Sequence, residues 1–378
     1  MQLFDLLSLF YAFLGVRALV NLVKNWRAFT DDELTAADRR LASEVAFFLL
    51  VPIGVLFHEL GHAVATYQVG GTIDWLNGGF HYALFWGYVV PQGNFTPLQD
   101  WWIALSGNLV SVLYGFLPLA FLPLTRKAWL KYTILSFARI QLGWSLIGYP
   151  LITLTGIDSD WSTIYSLRTL SVSAPLLVFH VALVAALWMI DRSRWLRHWE
   201  VGLYAGAREP LRALTARAKS DGKSPEPMIE LGNFLASQGQ VDLALADYRA
   251  ALSRDPTNVR ALYNIGQLEL MRKRLGAAEK SFREALPRAQ GDPALAARIH
   301  YGLGLCLYHR GKAAEAIQEL DQAIARMPND AASYYWRGLA RRQMHEDTAA
   351  HNDFSRAAAL AEPTHPELAA RAREMLGT

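Results

Sequence analysis

Apolar residues fall into two rhythms along this chain. Before about residue 198 they run in long, nearly unbroken stretches; after it they recur every three or four positions among charged residues, as on water-soluble helices. A bilayer core needs about 20 mostly apolar helical residues. Five stretches approach that length: 4–23, 43–66, 101–123, 131–154 and 173–190. Asp5 and Arg17 interrupt the first, while the last is short but nearly free of polar groups. Between the second and third, Asn77-Gly78-Gly79 signals a turn. It leads into the aromatic, β-prone run Phe80-His81-Tyr82-Ala83-Leu84-Phe85-Trp86-Gly87-Tyr88-Val89-Val90. That run either dips into the bilayer edge, its backbone paired within protein, or lies as an interfacial loop anchored by Trp75, Trp86, Trp101 and Trp102.

The second rhythm repeats. Gly232, Gly266, Gly304 and Gly338 are spaced by 34, 38 and 34 residues. Twelve positions after each comes an alanine (Ala244, Ala278, Ala316, Ala350), and sixteen after each a large residue (Tyr248, Phe282, Leu320, Phe354). Nineteen after come Ala251, Ala285, Ala323 and Ala357, with Pro256 and Pro328 closing the first and third units. This pattern resembles the tetratricopeptide repeat. The resemblance implies an α-solenoid of about four helix pairs over 225–378, with an insertion near Pro287–Pro293 and a capping helix at 364–376. Such an array binds peptides or protein segments in its groove, or else only spaces or dimerises what it is attached to. Residues 199–224 read as a short connection. The fold class expected is all-α: a polytopic membrane helix bundle (1–198) with a short β-loop, then the solenoid.

Composition sharpens the division. Mean hydropathy is only +0.12, but eleven of the twelve tryptophans precede residue 200. A net charge of +3, with the cations dispersed, gives no reason to expect nucleic acid as a partner. One cysteine, Cys306, excludes an internal disulfide. The N-terminal stretch lacks a basic leader and a cleavage site, and reads as a retained anchor. Lys24, Arg27, Arg39, Arg40, Arg126, Lys127, Lys131, Arg192, Arg194 and Arg197 fall on one set of connections, against Arg168 alone on the other. That asymmetry places the repeats in the cytoplasm.

The chemistry lies in the second apolar stretch, at His58-Glu59-Leu60-Gly61-His62. Residues four apart share a helix face, so His58 and His62 can offer imidazoles to one metal ion. Glu59 falls beside them as a general base for a water the metal acidifies. On a soluble helix, two surface histidines and a salt-bridging glutamate would be the simpler explanation. Within an apolar span, three ionisable groups at metal spacing are costly and hard to explain structurally. A catalytic zinc takes a third protein ligand. No glutamate occurs between Glu59 and Glu200, and Gln68 stands where a third histidine would fall, leaving Asp74, Asp100, Asp158 and Asp160. Counting spans puts Asp158 and Asp160 level with the histidines. Asp74 reads as a turn residue and Asp100 as interfacial. Arg139, Gln141 and His180, polar positions in apolar stretches, read as packed, snorkelling or hydrogen-bonded groups. His81 carries no assigned role.

With these residues in place, the region 43–190 resembles the site-2 protease family of intramembrane zinc metalloproteases. The resemblance rests on the histidine motif in a span, the aspartate motif two spans later, the Ala104-Leu105-Ser106-Gly107-Asn108-Leu109 segment and the aromatic loop. It implies His58 and His62 as zinc ligands, Glu59 as base, Asp160 (alternatively Asp158) as third ligand, and Gly107 and Asn108 as substrate-positioning residues. It further implies one catalytic Zn²⁺, a membrane-protein substrate beside the β-loop, and residence in a bacterial inner membrane. Two features depart from the family: Ser159 and Trp161 flank Asp160 in place of its usual Asn-Pro-Asp-Gly wording, and the charge asymmetry puts the motif toward the outer face. The competing expectation is a non-catalytic, membrane-anchored repeat adaptor or receptor with a vestigial metal site. A third is an anchored protease acting on soluble substrates.

Overall fold

The structure, a computed structural model, describes residues 3–31, 33–84, 86–154, 159–289, 291–362 and 365–377. It is mostly α-helical and divides into two units, Met1–Pro210 and Leu211–Thr378.

In the first unit, α1 (Leu3–Lys24) is followed by α2 (Ala36–Gln68), the hairpin β1 (Phe80–Ala83) and β2 (Trp86–Val89), and α3 (Pro97–Phe116, extended by a 3₁₀ turn to Phe121). Next come α4 (Ala128–Gly143, continuing through Trp144–Gly148 into Tyr149–Thr153), the short α5 (Asp160–Ile164), α6 (Leu170–Asp191) and α7 (Arg194–Val201). Capping boxes start the two central helices: Thr35 with Asp38 opens α2, and Thr96 with Gln99 opens α3, where Pro97 also sits in the first turn.

Prolines leave a second local mark. A π-helical turn, Ala46–Leu50, directly precedes Pro52, and another, Trp144–Gly148, precedes Pro150. A proline inside a helix lacks the N–H and clashes with the preceding turn, and the wider π turn relieves both. Backbone carbonyls at both turns meet side chains of neighbouring helices. Tyr114 donates to Leu50 O at 3.2 Å, and His180 Nε2 lies 2.7 Å from Leu146 O.

Among the described residues, four helices are long and apolar enough to cross a membrane: Leu6–Lys24, Ala36–Gln68, Pro97–Phe121 and Leu167–Asp191. The expected stretch 131–154 is helical as α4 but is not one of them. Its Thr133, Ser136, Gln141 and Ser145 are buried polar groups, and Arg139 pairs with Asp191 at 2.6 Å and Glu200 at 2.8 Å. Burial separates the four helices. In the most apolar window, 44% of α2 is buried but only 6% of the α6 stretch. The aromatic run forms the hairpin, in register Phe80–Val89 to Ala83–Trp86. It lies along the helices: Tyr82 donates to Pro52 O at 2.9 Å, and Ser8 to Ala83 O at 2.8 Å.

The second unit stacks helix pairs α9/α10 (Glu226–Ser237, Val241–Arg254), α11/α12 (Val259–Met271, Leu275–Ala285), α13/α14 (Pro293–His309, Ala313–Arg326) and α15/α16 (Ala331–Gln343, Asp347–Ala361), ending in α17 (Pro366–Leu376). The glycine spacing has a direct cause. A Cβ on Gly232 would fall 2.6 Å from the Tyr248 ring, and one on Gly338 would fall 2.8 Å from that of Phe354. Within each pair the large residue of the second helix packs onto the bare backbone of the first. The stretch 199–224 differs from the expected plain connection. It contains α7's end and α8 (Arg208–Ser220), because Arg254 donates to the carbonyls of Asp221 at 2.9 Å and Ser224 at 2.7 Å and so ties its end to the array.

Candidate metal centre

α2 and α3 touch backbone to backbone. A Cβ on Gly61 would meet Gly107 Cα and Ser106 O at 2.9 Å, and one on Gly107 would run into the His62 ring. This close approach puts the histidine face of α2 against α3, which then holds both rings from behind. His58 Nδ1 lies 3.0 Å from Ser111 Oγ, and His62 Nδ1 lies 2.7 Å from the Ile103 carbonyl. A carbonyl only accepts, so His62 carries a proton on Nδ1 and turns Nε2 toward Asp160. Ser111 can accept from His58 in the same way.

Asp160 closes the arrangement. Its Oδ2 lies 3.0 Å from His58 Nε2 and 3.1 Å from His62 Nε2, and the two Nε2 atoms are 3.0 Å apart. Three ligand atoms each 2.0–2.1 Å from a tetrahedral zinc are about 3.3 Å from one another. The His58–His62–Asp160 triangle, with both histidines buried and the aspartate half-buried, therefore fits such an ion in donor type, number and spacing. Burial alone would push the Asp160 carboxyl up, but His62 and His58 hold it well below the usual carboxylate range, so it is an anion. Tyr149 donates to Oδ2 at 3.0 Å and Asn108 Nδ2 at 3.3 Å, which fixes the carboxylate from two further sides. Asp158 lies outside the described residues.

A cavity of about 700 Å³ opens on this cluster, lined by His58, Glu59, His62 and Asp160, by β2 at Gly87–Val89, and by hydroxyls from Ser159 to Thr169. Glu59 is 5% exposed and makes no hydrogen bond to the described residues. A Cβ on Gly87 would fall 2.8 Å from Glu59 Cγ, so β2 reaches the site because that position is bare.

The other expected positions separate clearly. Gly107 and Asn108 do not line the cavity. The glycine packs on His62 and the asparagine donates to Asp160. Asp74 accepts from the Leu76 and Asn77 backbone as a turn residue, and Asp100 lines the cavity mouth. His81 stacks on Tyr88, away from the cluster. Ser111, Tyr149 and Gly87 were not singled out by sequence. Ser111 and Tyr149 lie far from the motif in the chain and share no spacing with it, whereas Gly87 stood inside a β-prone run where a bare position signals close approach.

The second unit can be placed in a class. The family model of the tetratricopeptide repeat matches residues 196–257, 229–293 and 294–333. The helix pairs of the second unit within these matches form tetratricopeptide repeats, a scaffold that binds protein partners. A particular relative is Protein CTR9 homolog of Arabidopsis thaliana, 28% identical over 113 residues. That match spans 30% of this chain and only 10% of the relative. Among solved structures the chain is similar to MamA, at 24% identity over 40% of this chain and 87% of that one, with a TM-score of 0.37. It is also similar to MamA 41-end from Desulfovibrio magneticus RS-1, at 23% identity over 48% and 97%, with a TM-score of 0.38.

Proposed function

We propose that the chain is a zinc metallopeptidase of site-2 protease type, cleaving membrane-protein substrates in or beside the bilayer, with its repeats recruiting or regulating through protein partners. The observation that carries this reading is the convergence of His58, His62 and Asp160 beside Glu59 on the wall of one cavity. Outward-facing Phe10, Phe13, Val178 and Phe179 on the apolar helices support a bilayer setting, since soluble surfaces rarely expose such stretches. The charge asymmetry supports an orientation with the repeats on the cytoplasmic side, and the resemblance is what suggests a bacterial inner membrane.

His58 and His62 would hold the ion through Nε2 and Asp160 through Oδ2. Zinc, when bound, polarises a carbonyl and acidifies water. Glu59 takes the proton of the attacking water as its oxygen bonds to the scissile carbonyl carbon. It returns that proton to the amide nitrogen as the C–N bond breaks. Ser111 and Ile103 O orient the imidazoles, and Tyr149 and Asn108 orient the carboxylate. β2 offers backbone along the cavity to an unwound substrate segment.

The second reading is a membrane-anchored repeat adaptor with a vestigial metal site. The family match favours it, because that match speaks for protein binding and not for hydrolysis. Glu59→Gln in the purified full-length chain separates the two, with zinc content measured beside cleavage of co-expressed membrane proteins. Bound zinc with cleavage reduced by about 10²-fold or more is the expected result. A variant as active as wild type removes Glu59 from the chemistry, and a wild-type chain without zinc or cleavage leaves the adaptor. A reporter fused after residue 198 should read cytoplasmic, and an external signal reverses the orientation.

A further inference from the structure

We infer that His180 is a positioning residue for the Asp160 arm of the metal centre, an inference that rests on the metallopeptidase reading above. Asp160 stands at the start of α5, a helix of five residues. So short a helix has no stability of its own, and its place is set by whatever holds it. Trp161, the next residue, is buried, and its ring stacks on the His180 imidazole with centroids 4.8 Å apart. Tyr165, which caps the other end of α5, bonds through its hydroxyl to His180 Nδ1. His180 Nε2 meets the Leu146 carbonyl at 2.7 Å, inside the π turn of α4.

That carbonyl accepts only, so His180 carries its proton on Nε2 and receives the Tyr165 hydroxyl at Nδ1. One side chain therefore ties α5 at both ends to α4 and α6. Other anchors act beside it: Trp101 Nε1 donates to Ile164 O at 3.0 Å, Ser159 and Thr153 share a hydroxyl contact, Tyr149 and Asn108 donate to Asp160, and Trp161 and Ile164 pack on Ala104 of α3. A histidine used only for packing would have no reason to engage both aromatic residues of the helix that bears the third ligand. An ionisable residue on the most lipid-like helix of the unit also asks for a role.

The test measures zinc affinity of the detergent-solubilised full chain by competition with a chromophoric chelator, alongside its unfolding temperature. His180→Leu removes both hydrogen bonds and is expected to weaken zinc binding about 10- to 100-fold while the chain stays folded. His180→Gln, whose amide can donate to Leu146 and accept from Tyr165, is expected to restore most of that affinity. Wild-type zinc affinity in His180→Leu overturns the proposal, as does a Gln variant no better than Leu. If His180→Leu fails to fold, Tyr165→Phe carries the test: weaker zinc binding supports the proposal and an unchanged affinity overturns it. A wild-type chain that binds no zinc instead defeats the metallopeptidase reading and this inference with it, an outcome distinguishable from the others by the wild type alone.

Discussion

Glycine serves opposite purposes in the two units. In the repeats, Gly232, Gly266, Gly304 and Gly338 each make room for a large side chain sixteen residues on, within the same helix pair. In the first unit, Gly61, Gly107 and Gly87 make room for backbone, imidazole and carboxylate belonging to distant segments. Polar groups divide the same way. Repeat charges pair at many separate places, some at the surface, as Arg217 with Glu230 at 2.6 Å, and some on a buried acid, as Arg337 and Arg341 on Asp353. In the first unit His58, His62, Tyr149 and Asn108 instead converge on a single carboxylate oxygen, Asp160 Oδ2. A bare position in the array thus protects stability, and a bare position in the metal centre protects geometry.

That difference can be broken from either side. Phe282 is fully buried and packs on both Gly266 and Gly302. Phe282→Ala should cost about 3–5 kcal/mol of repeat stability, the largest effect expected, and leave zinc content unchanged in metal analysis. Gly107→Ala should do the reverse. The new methyl displaces the His62 ring, so zinc affinity should fall about 10- to 100-fold for a stability loss of about 1–3 kcal/mol. Gly276→Ala supplies the baseline, because a Cβ there meets nothing within 4 Å. Equal effects of Gly107→Ala and Gly276→Ala on zinc would end the comparison.

The same contrast decides how much could be read before the fold was known. Repeats were legible because their contacts recur at fixed spacing, so Gly232 and Tyr248 announce one another along the chain. His58 and His62 were legible for a similar reason, since one helical turn carries both. Ser111, Tyr149 and the bracket from His180 to Tyr165 and Trp161 were not, because those contacts join segments whose separation follows no period. Of the two readings the sequence offers for Arg139, snorkelling or a helix–helix hydrogen bond, the second holds, with Glu200 and Asp191 as partners set by where α6 ends and α7 begins. Gly107 and Asn108 were assigned a substrate role by resemblance. The packing of α3 on α2, which no spacing announces, sets them against His62 and Asp160.

A thiol inside the array reports on the two units separately. Cys306 is the chain's single thiol and is fully buried in the repeats. Burial, with Glu279 adding to it, pushes the thiol up to about 12. At pH 8 the thiolate fraction is then on the order of 10⁻⁴, and alkylation of the native chain should be negligible over hours. Because the folded state favours the neutral thiol, this contribution to stability is intact below the thiol's ordinary range and is lost as pH rises through about 12. Labelling at pH 8 therefore waits on opening of the array. Phe282→Ala should accelerate it by roughly the factor its stability loss implies, while Gly107→Ala should leave the rate where it was. If the glycine substitution near the metal centre speeds Cys306 labelling as much as the core deletion does, the two units unfold together and the division of labour between their glycines fails.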